Sequence, residues 1–187
     1  MSSPSQPLLP FITLNREPIV DCRIFKVERL YRRSQRTGLT HDFFHIAASP
    51  WVNVVALTPR QELVLVRQDR HGLCEFTLEL PAGLVEPGED PAAAALRELR
   101  EETGYSAATV ESLGFVHPNP ALQDNRCYVY LARDVELVGA QELDPREEIE
   151  VRLVPLADAR ELVRRGEITH SLVLSSLYLY DLAHPQR

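Results

Sequence analysis

The N-terminal part of the chain alternates apolar and polar positions with a period of two, which is typical of half-buried β-strands. Residues 19–31 (IVDCRIFKVERLY) carry the longest such run and predict a single strand. The polar residues 69–72 mark a connection between two of the later runs. The pattern therefore predicts that a β-sheet is assembled before the first helix, with further strands over residues 41–47, 51–57, 62–68 and 76–80.

The period changes at Asp90, which is a good helix N-cap and is followed by Pro91, a residue that suits the first helical turn. Residues 92–102 have high helix propensity, and Gly104 fits the end of the helix. Beyond it the pattern predicts strands over 112–117, 127–132 and 150–155, and helices over 156–165 and 169–182. This order of elements predicts an α/β (α+β) protein, in which a mixed β-sheet is sandwiched between α-helices.

Length and charge restrict the functional classes. The chain has 187 residues, enough for one domain with a substantial core, and it has a net charge of -7. That charge disfavours binding of nucleic acid through its phosphates. No run approaches the roughly 18 apolar residues of a membrane span, and the start lacks the segments of a signal peptide. We therefore expect a cytoplasmic protein that binds neither nucleic acid nor a membrane.

The cysteines give no sign of a disulfide framework. Cys22, Cys74 and Cys127 are widely spaced and odd in number. This spacing also argues against zinc ligation. We expect three buried, reduced thiols.

Three glutamates on the predicted helix carry the candidate chemistry. Glu98, Glu101 and Glu102 stand at positions i, i+3 and i+4, which places their carboxylates on one helical face. Carboxylates this close repel one another unless cations lie among them, and hard divalent cations such as Mg²⁺ prefer oxygen ligands. The alternative is a solvated acidic face, which is the commoner origin of a charge run.

The sequence around these glutamates favours the metal. Residues 83–105 read GLVEPGEDPAAAALRELREETGY and match every constrained position of the pattern G-x5-E-x7-R-E-U-x-E-E-x-G-U, where U is a bulky aliphatic or aromatic residue. The matching residues are Gly83, Glu89, Arg97, Glu98, Leu99, Glu101, Glu102, Gly104 and Tyr105. This segment resembles the signature of the Nudix hydrolases, and we call it the Nudix box.

The resemblance implies a divalent cofactor, Mg²⁺ or Mn²⁺. The metal ligands that it implies are the carboxylates of Glu98, Glu101 and Glu102 and the backbone carbonyl of Ala82. Arg97 can pair with Glu101 one helical turn away. Glu89 is expected to support the helix rather than to bind the metal.

Sequences beside the box resemble the ADP-ribose and nucleoside diphosphate sugar pyrophosphatases of that family. The similar segments are VRQDRHG (66–72), LELPAGLVEPGE (78–89) and Pro120. The resemblance implies that Arg70 and Glu79 bind the substrate. A surface arginine in a turn and a solvent-facing strand position remain the alternatives for these two residues.

The same resemblance implies a glutamate that activates water, in a loop after the box. Glu147 is the first choice for this general base and Glu148 the second, and together with Glu101 they form the predicted catalytic set. An exposed loop acid without a role is the alternative for either loop residue. Residues 119–126 depart from the SPG-type loop of dedicated ADP-ribose enzymes, so their polar side chains could bind another sugar or simply form a turn.

The implied function is Mg²⁺-dependent hydrolysis of the pyrophosphate bond of a nucleoside diphosphate sugar or ADP-ribose, giving a nucleoside monophosphate and a sugar phosphate. The alternatives are a Nudix-fold sensor that binds a nucleotide without turnover, and a Nudix hydrolase of dinucleotides or nucleoside triphosphates. The resemblance also implies a homodimer. The expected organisation is a flexible tail (1–12), an N-terminal antiparallel β segment with dimer contacts (13–48) and a Nudix hydrolase domain (49–187).

Overall fold

A computed structural model describes residues 8–185 of the chain. The chain forms two compact units: the first contains the residues up to Ala48 together with Asn119–Asn125, and the second contains Ser49–Pro118 and the residues from Arg126 onward. Residues 1–7 of the predicted tail lie outside the described residues. Residues 8–11 have no regular structure, and the first strand begins at Ile12.

The first unit is built on a three-stranded antiparallel sheet in the order β1-β2-β3. Its strands are β1 (Ile12–Asp21), β2 (Phe25–Arg33) and β3 (Thr40–Ala48). The prediction of a single strand over 19–31 is therefore wrong. The chain turns at Arg23, which has a φ of 69°, because the Asp21 carboxylate accepts the Arg23 N–H at 2.9 Å and the Cys22 N–H donates to the Phe25 carbonyl.

The segment Asn119–Asn125 is fastened to this sheet by backbone and side-chain bonds. The Ile46 N–H donates to the Leu122 carbonyl at 2.7 Å. The buried His45 ring places Nδ1 3.1 Å from Glu28 and Nε2 3.3 Å from Asp124. This predicted turn region therefore belongs structurally to the N-terminal sheet.

The second unit contains a mixed seven-stranded sheet. Its strands are β4 (Trp51–Leu57), β5 (Glu62–Arg70), β6 (Glu75–Glu79), β7 (Ala82–Leu84), β9 (Val110–Val116), β10 (Cys127–Arg133) and β12 (Ile149–Pro155). The main order is β12-β5-β4-β10-β9, with β6 on β5 and β7 on β4. Strands β4 and β10 are parallel and the other pairs are antiparallel. A separate small pair joins β8 (Tyr105–Ser106) to β11 (Glu136–Leu137).

Helices cover both faces of this sheet. They are α1 (Pro91–Thr103), α2 (Ala159–Arg164) and α3 (Ser171–Ala183). Alternate residues of the central strands enter two cores: Val52, Val54 and Ala56 pack with α1, whereas Val55 and Leu57 pack with α2 and α3. The predicted mixed sheet between helices is confirmed.

Smaller differences have local causes. Strands β7, β8 and β11 were not predicted, because two or three residues are too few to display a period. Residues Leu156–Asp158, expected to begin a helix, form a 3-10 turn instead. The prediction of three buried thiols is wrong: Cys127 is buried, but Cys22 and Cys74 are exposed. Between residues 8 and 185, no helix is long and apolar enough to cross a membrane.

Candidate active site

Helix α1 forms as its sequence predicts. The Asp90 side chain accepts the Ala92 N–H at 2.8 Å, and Gly104 ends the helix with a φ of 74°. Ala94, Ala95 and Leu99 are buried against the sheet. This packing fixes the rotation of the helix and so determines where its glutamates point.

Glu98 lies directly against strand β7. A Cβ atom on Gly83 would overlap the Glu98 carboxylate, so only glycine allows the strand to approach the helix this closely. The Glu98 carboxylate also lies beside the positive guanidinium of Arg97, whose Nη1 donates to Glu98 Oε1 at 2.7 Å. The position of the Glu98 carboxylate therefore depends on the absence of a side chain at Gly83.

Arg97 organises the carboxylates around it. Its Nε and Nη2 bond the two oxygens of Glu89 at 2.9 and 3.0 Å, and its Nη1 also reaches Glu101 at 3.0 Å. These bonds raise the pKa of Arg97, and the bond to Arg97 lowers that of Glu89. The predicted Arg97–Glu101 pair is present, and Glu89 braces the arginine as expected.

Glu102 is the most deeply buried acid of the helix. It is 4% exposed, and its Oε2 accepts the Ala82 N–H at 2.9 Å. Burial raises its pKa to about 8, and the charges of Glu98 and Glu147 act in the same direction. Burial also raises the pKa of Glu98. In the absence of a cation, the protein therefore disfavours the ionised form of the buried Glu102 and the half-buried Glu98.

These residues fit a hard divalent cation. Carboxylates with elevated pKa values gain most from a cation, and oxygen atoms are the ligands that Mg²⁺ and Mn²⁺ prefer. Within residues 8–185, no three acidic, histidine or cysteine side chains are already arranged around one point. Arg97 accounts for part of this spread, since it draws Glu98 and Glu101 towards its own guanidinium.

Arg70 and Glu79, both predicted to bind substrate, bind each other. The Arg70 Nε and Nη2 donate to the two Glu79 oxygens at 2.7 and 2.6 Å. Glu79 is 1% exposed, which excludes the solvent-facing alternative. Burial is the largest influence on Glu79 and raises its pKa, but the hydrogen bonds from Arg70 and Thr77 together with the charge of Arg70 outweigh it, and the net pKa is lowered. The Arg70 side chain stays 40% exposed.

The two candidate bases lie in the loop before β12. Both are exposed, and the Glu147 Oε2 accepts the Asp144 N–H of its own turn at 3.0 Å. The charge of Glu147 helps to raise the pKa of Glu98 and of Glu102, so it lies within electrostatic reach of both. Glu148 is not among the strongest influences on those two carboxyls.

One structural contributor was missed. The Gln141 Nε2 donates to the carbonyls of Glu102 and Ile149, at 2.6 and 3.1 Å. No periodic or motif signal distinguishes this glutamine in the sequence. Its contacts depend on where the chain passes after strand β10.

Comparison with known proteins gives three consistent results. The NUDIX domain profile matches residues 49–175. The chain is 38% identical to the ADP-ribose pyrophosphatase of Bacillus subtilis over 63% of its own length and 64% of that protein, which is less than two thirds of it. It is 33% identical to the ADP-ribose pyrophosphatase of Mycobacterium tuberculosis over 89% of its own length and 81% of that protein.

The fold has a counterpart among solved structures. A crystal structure titled as an ADP compounds hydrolase superposes with a TM-score of 0.84, covering 96% of each chain at 24% sequence identity. At that identity the likeness concerns the fold. The sheet and helices that position the acidic cluster therefore form a recurrent architecture.

Proposed function

This chain belongs to the Nudix hydrolase family and is an enzyme of it, and on that premise we propose that it hydrolyses the pyrophosphate bond of ADP-ribose or a related nucleoside diphosphate sugar. The reaction would use Mg²⁺ or Mn²⁺ and release a nucleoside monophosphate and a sugar phosphate. One observation carries the proposal: the half-buried Glu98 and the buried Glu102 lie one helical turn apart with raised pKa values, next to the backbone of Gly83 and Ala82.

The metal ligands in this proposal are Glu98, Glu101, Glu102 and the Ala82 carbonyl. A divalent cation there would neutralise charge on the pyrophosphate oxygens and make a bound water more acidic. Arg97 Nη1 holds the Glu98 and Glu101 carboxylates on the same side of α1, and a cation there would draw both carboxylates away from the guanidinium. Glu101 is exposed enough, at 38% of its side chain, to reach solvent and substrate.

Glu147 is the proposed general base. It would accept the proton of the attacking water, and its electrostatic contact with Glu98 and Glu102 supports this role over Glu148. Its carboxylate is exposed to solvent. Glu148 is retained as the second choice.

Arg70 is the proposed phosphate contact. Two of its three nitrogens are bonded to Glu79, and within the described residues Nη1 makes no hydrogen bond. A guanidinium held in this way can direct its remaining donors to an anion without losing conformational entropy. Glu79 would then act on the substrate through Arg70, whose orientation it fixes.

The substrate class rests on the relatives. Those of Bacillus subtilis and Mycobacterium tuberculosis are named ADP-ribose pyrophosphatases. We also propose a homodimer, because β1 is exposed along its whole length and carries large apolar residues. These exposed side chains include Ile12, Leu14, Ile19 and Val20.

A substrate panel tests the proposal. Purified protein with Mg²⁺ is incubated with ADP-ribose, several nucleoside diphosphate sugars, dinucleotides and nucleoside triphosphates, and the products are separated by chromatography. We expect AMP and ribose 5-phosphate from ADP-ribose, with no activity in EDTA. Cleavage of triphosphates alone would reject the substrate class, and binding without cleavage of any compound would indicate a sensor.

A further inference from the structure

The chain that follows β11 runs along the C-terminal end of α1. The Val138 N–H donates to the Gly104 carbonyl at 2.9 Å, and the Glu142 N–H donates to the Glu101 carbonyl at 2.8 Å. A side chain on Gly104 would overlap the carbonyl of Gly139. This stretch, residues 138–142, therefore supplies partners for carbonyls that a helix end leaves free.

Gln141 joins this helix end to the sheet. Its single amide nitrogen has two hydrogens, and it reaches the carbonyl of Glu102 on α1 and the carbonyl of Ile149 at the start of β12. The side chain is half-buried. One side chain thus connects α1, which carries the proposed metal ligands, to β12, the strand that follows the Glu147 loop.

The two ends of the loop that carries Glu147 are consequently joined to each other by hydrogen bonds. Residues 144–148 leave from Glu142, which is bonded to α1, and return at Ile149, which pairs with Gln68 of β5. Within the loop, the Glu147 carboxylate is held only by the N–H of Asp144. The position of Glu147 relative to Glu98 and Glu102 therefore depends on how firmly the two ends of the loop are joined.

We propose that Gln141 is a positioning residue that fixes the Glu147 loop against the metal-binding end of α1. This inference rests on the proposed function, since it concerns the base of that reaction. Gln141 acts through two backbone carbonyls and touches no reacting atom. The role requires a donor of two hydrogens at this point, which an apolar or acidic side chain of the same length cannot supply.

The test uses Gln141→Met, which keeps the volume and removes both donors, and Gln141→Glu, which places a negative charge beside two carbonyls. Both variants should lower kcat by about 10-fold, short of the roughly 100-fold loss that a 1 Å misplacement can cause. KM for ADP-ribose should stay within about twofold, because ground-state binding is not affected. Glu142→Gln is the matched control and should match wild type, since it removes only an exposed ion pair with Arg100.

A double-mutant cycle separates positioning from a structural role. In a Glu147→Gln background, Gln141→Met should lower kcat no further, because the base that it positions is already lost. Equal losses in both backgrounds would overturn the proposal. Hydrogen exchange gives a second readout. Gln141→Met should speed exchange of the amides of residues 142–149 and leave those of α1 protected. Unchanged exchange would contradict the proposal that Gln141 fixes the loop.

The exchange measurement also keeps the two proposals distinguishable. A wild-type protein that hydrolyses no compound of the panel would reject the proposed function. The proposed positioning by Gln141 would then be tested by hydrogen exchange alone, because the hydrogen bonds of Gln141 do not depend on turnover.

Discussion

The acids of α1 and those of the loop before β12 differ in how the protein holds them. Glu98 and Glu102 lie on a helix whose rotation is fixed by a buried face, and they contact the backbone at Gly83 and Ala82. Glu147 and Glu148 are exposed, and within residues 8–185 the Glu147 carboxylate accepts a hydrogen bond only from its own turn. Buried and half-buried acids with raised pKa values are suited to bind a cation, and an exposed, movable acid is suited to exchange protons with water.

Glu102→Gln should have the largest effect on turnover. It removes one carboxylate from the proposed metal ligands and should lower kcat by roughly 1000-fold at saturating Mg²⁺, while the circular dichroism spectrum stays unchanged. Glu148→Gln is the control in the exposed loop, and kcat should stay within about twofold of wild type. A folded and fully active Glu102→Gln variant would contradict the division of roles.

Glu147→Gln should come next, with kcat reduced by about 100-fold, in the range of general base catalysis. Its thermal stability should match wild type, because the side chain is exposed. If Glu148→Gln showed the larger loss instead, the assignment within the loop would be reversed.

Gly83→Ala tests the contact between strand and helix. The added methyl group meets the Glu98 carboxylate, so we expect the free energy of unfolding to fall by about 1–3 kcal/mol and kcat to fall by about 10-fold. Chemical denaturation and steady-state kinetics measure the two effects. Gly72→Ala is the matched control, because no atom lies within 4 Å of its added Cβ.

The pH dependence of stability isolates the buried charge. The folded-state pKa of Glu102, about 8, lies above the ordinary value of 4.5, so the contribution of this group to stability should be fully present below pH 4.5 and be lost as the pH rises towards 8. The fall should be on the order of 5 kcal/mol in EDTA. Glu102→Gln should flatten this dependence in thermal melts; an equally steep loss in that variant would place the charge elsewhere.

Arg70→Lys should have the smallest effect on catalysis. Lysine keeps the charge but loses the two-pronged bond to Glu79, so KM should rise by about 10-fold with kcat little changed. Arg70→Ala leaves the buried Glu79 unpaired and should also destabilise the fold by roughly 3 kcal/mol. A lowered kcat with an unchanged KM in Arg70→Lys would argue against phosphate binding by Arg70.

The sequence predicted what depends on local chemistry. Helix α1 has its cap at Asp90, its stop at Gly104 and strong helix formers between them, so its ends could be placed within one residue. The pairing of Arg97 with Glu101 followed from helical spacing alone. The mixed sheet between helices followed from the order of the periodic segments.

Features that depend on tertiary contact could not be predicted. The bidentate Arg70–Glu79 pair requires the register of β5 against β6, and the bonds of Gln141 require the path of the chain past α1. The break at Arg23 was missed because alternation continues through the turn, although Asp21 offered a local signal. The attachment of residues 119–125 to the N-terminal sheet depends on His45, whose partners lie far away in sequence.

Cation binding tests the central claim most directly. Mn²⁺ titration followed by electron paramagnetic resonance would be compared for wild type, Glu102→Gln and Glu148→Gln, without any nucleotide. If the acids of α1 are the metal ligands, Glu102→Gln should weaken Mn²⁺ binding by at least about 10-fold, and Glu148→Gln should bind Mn²⁺ as wild type does. Equal binding by wild type and Glu102→Gln would contradict that assignment.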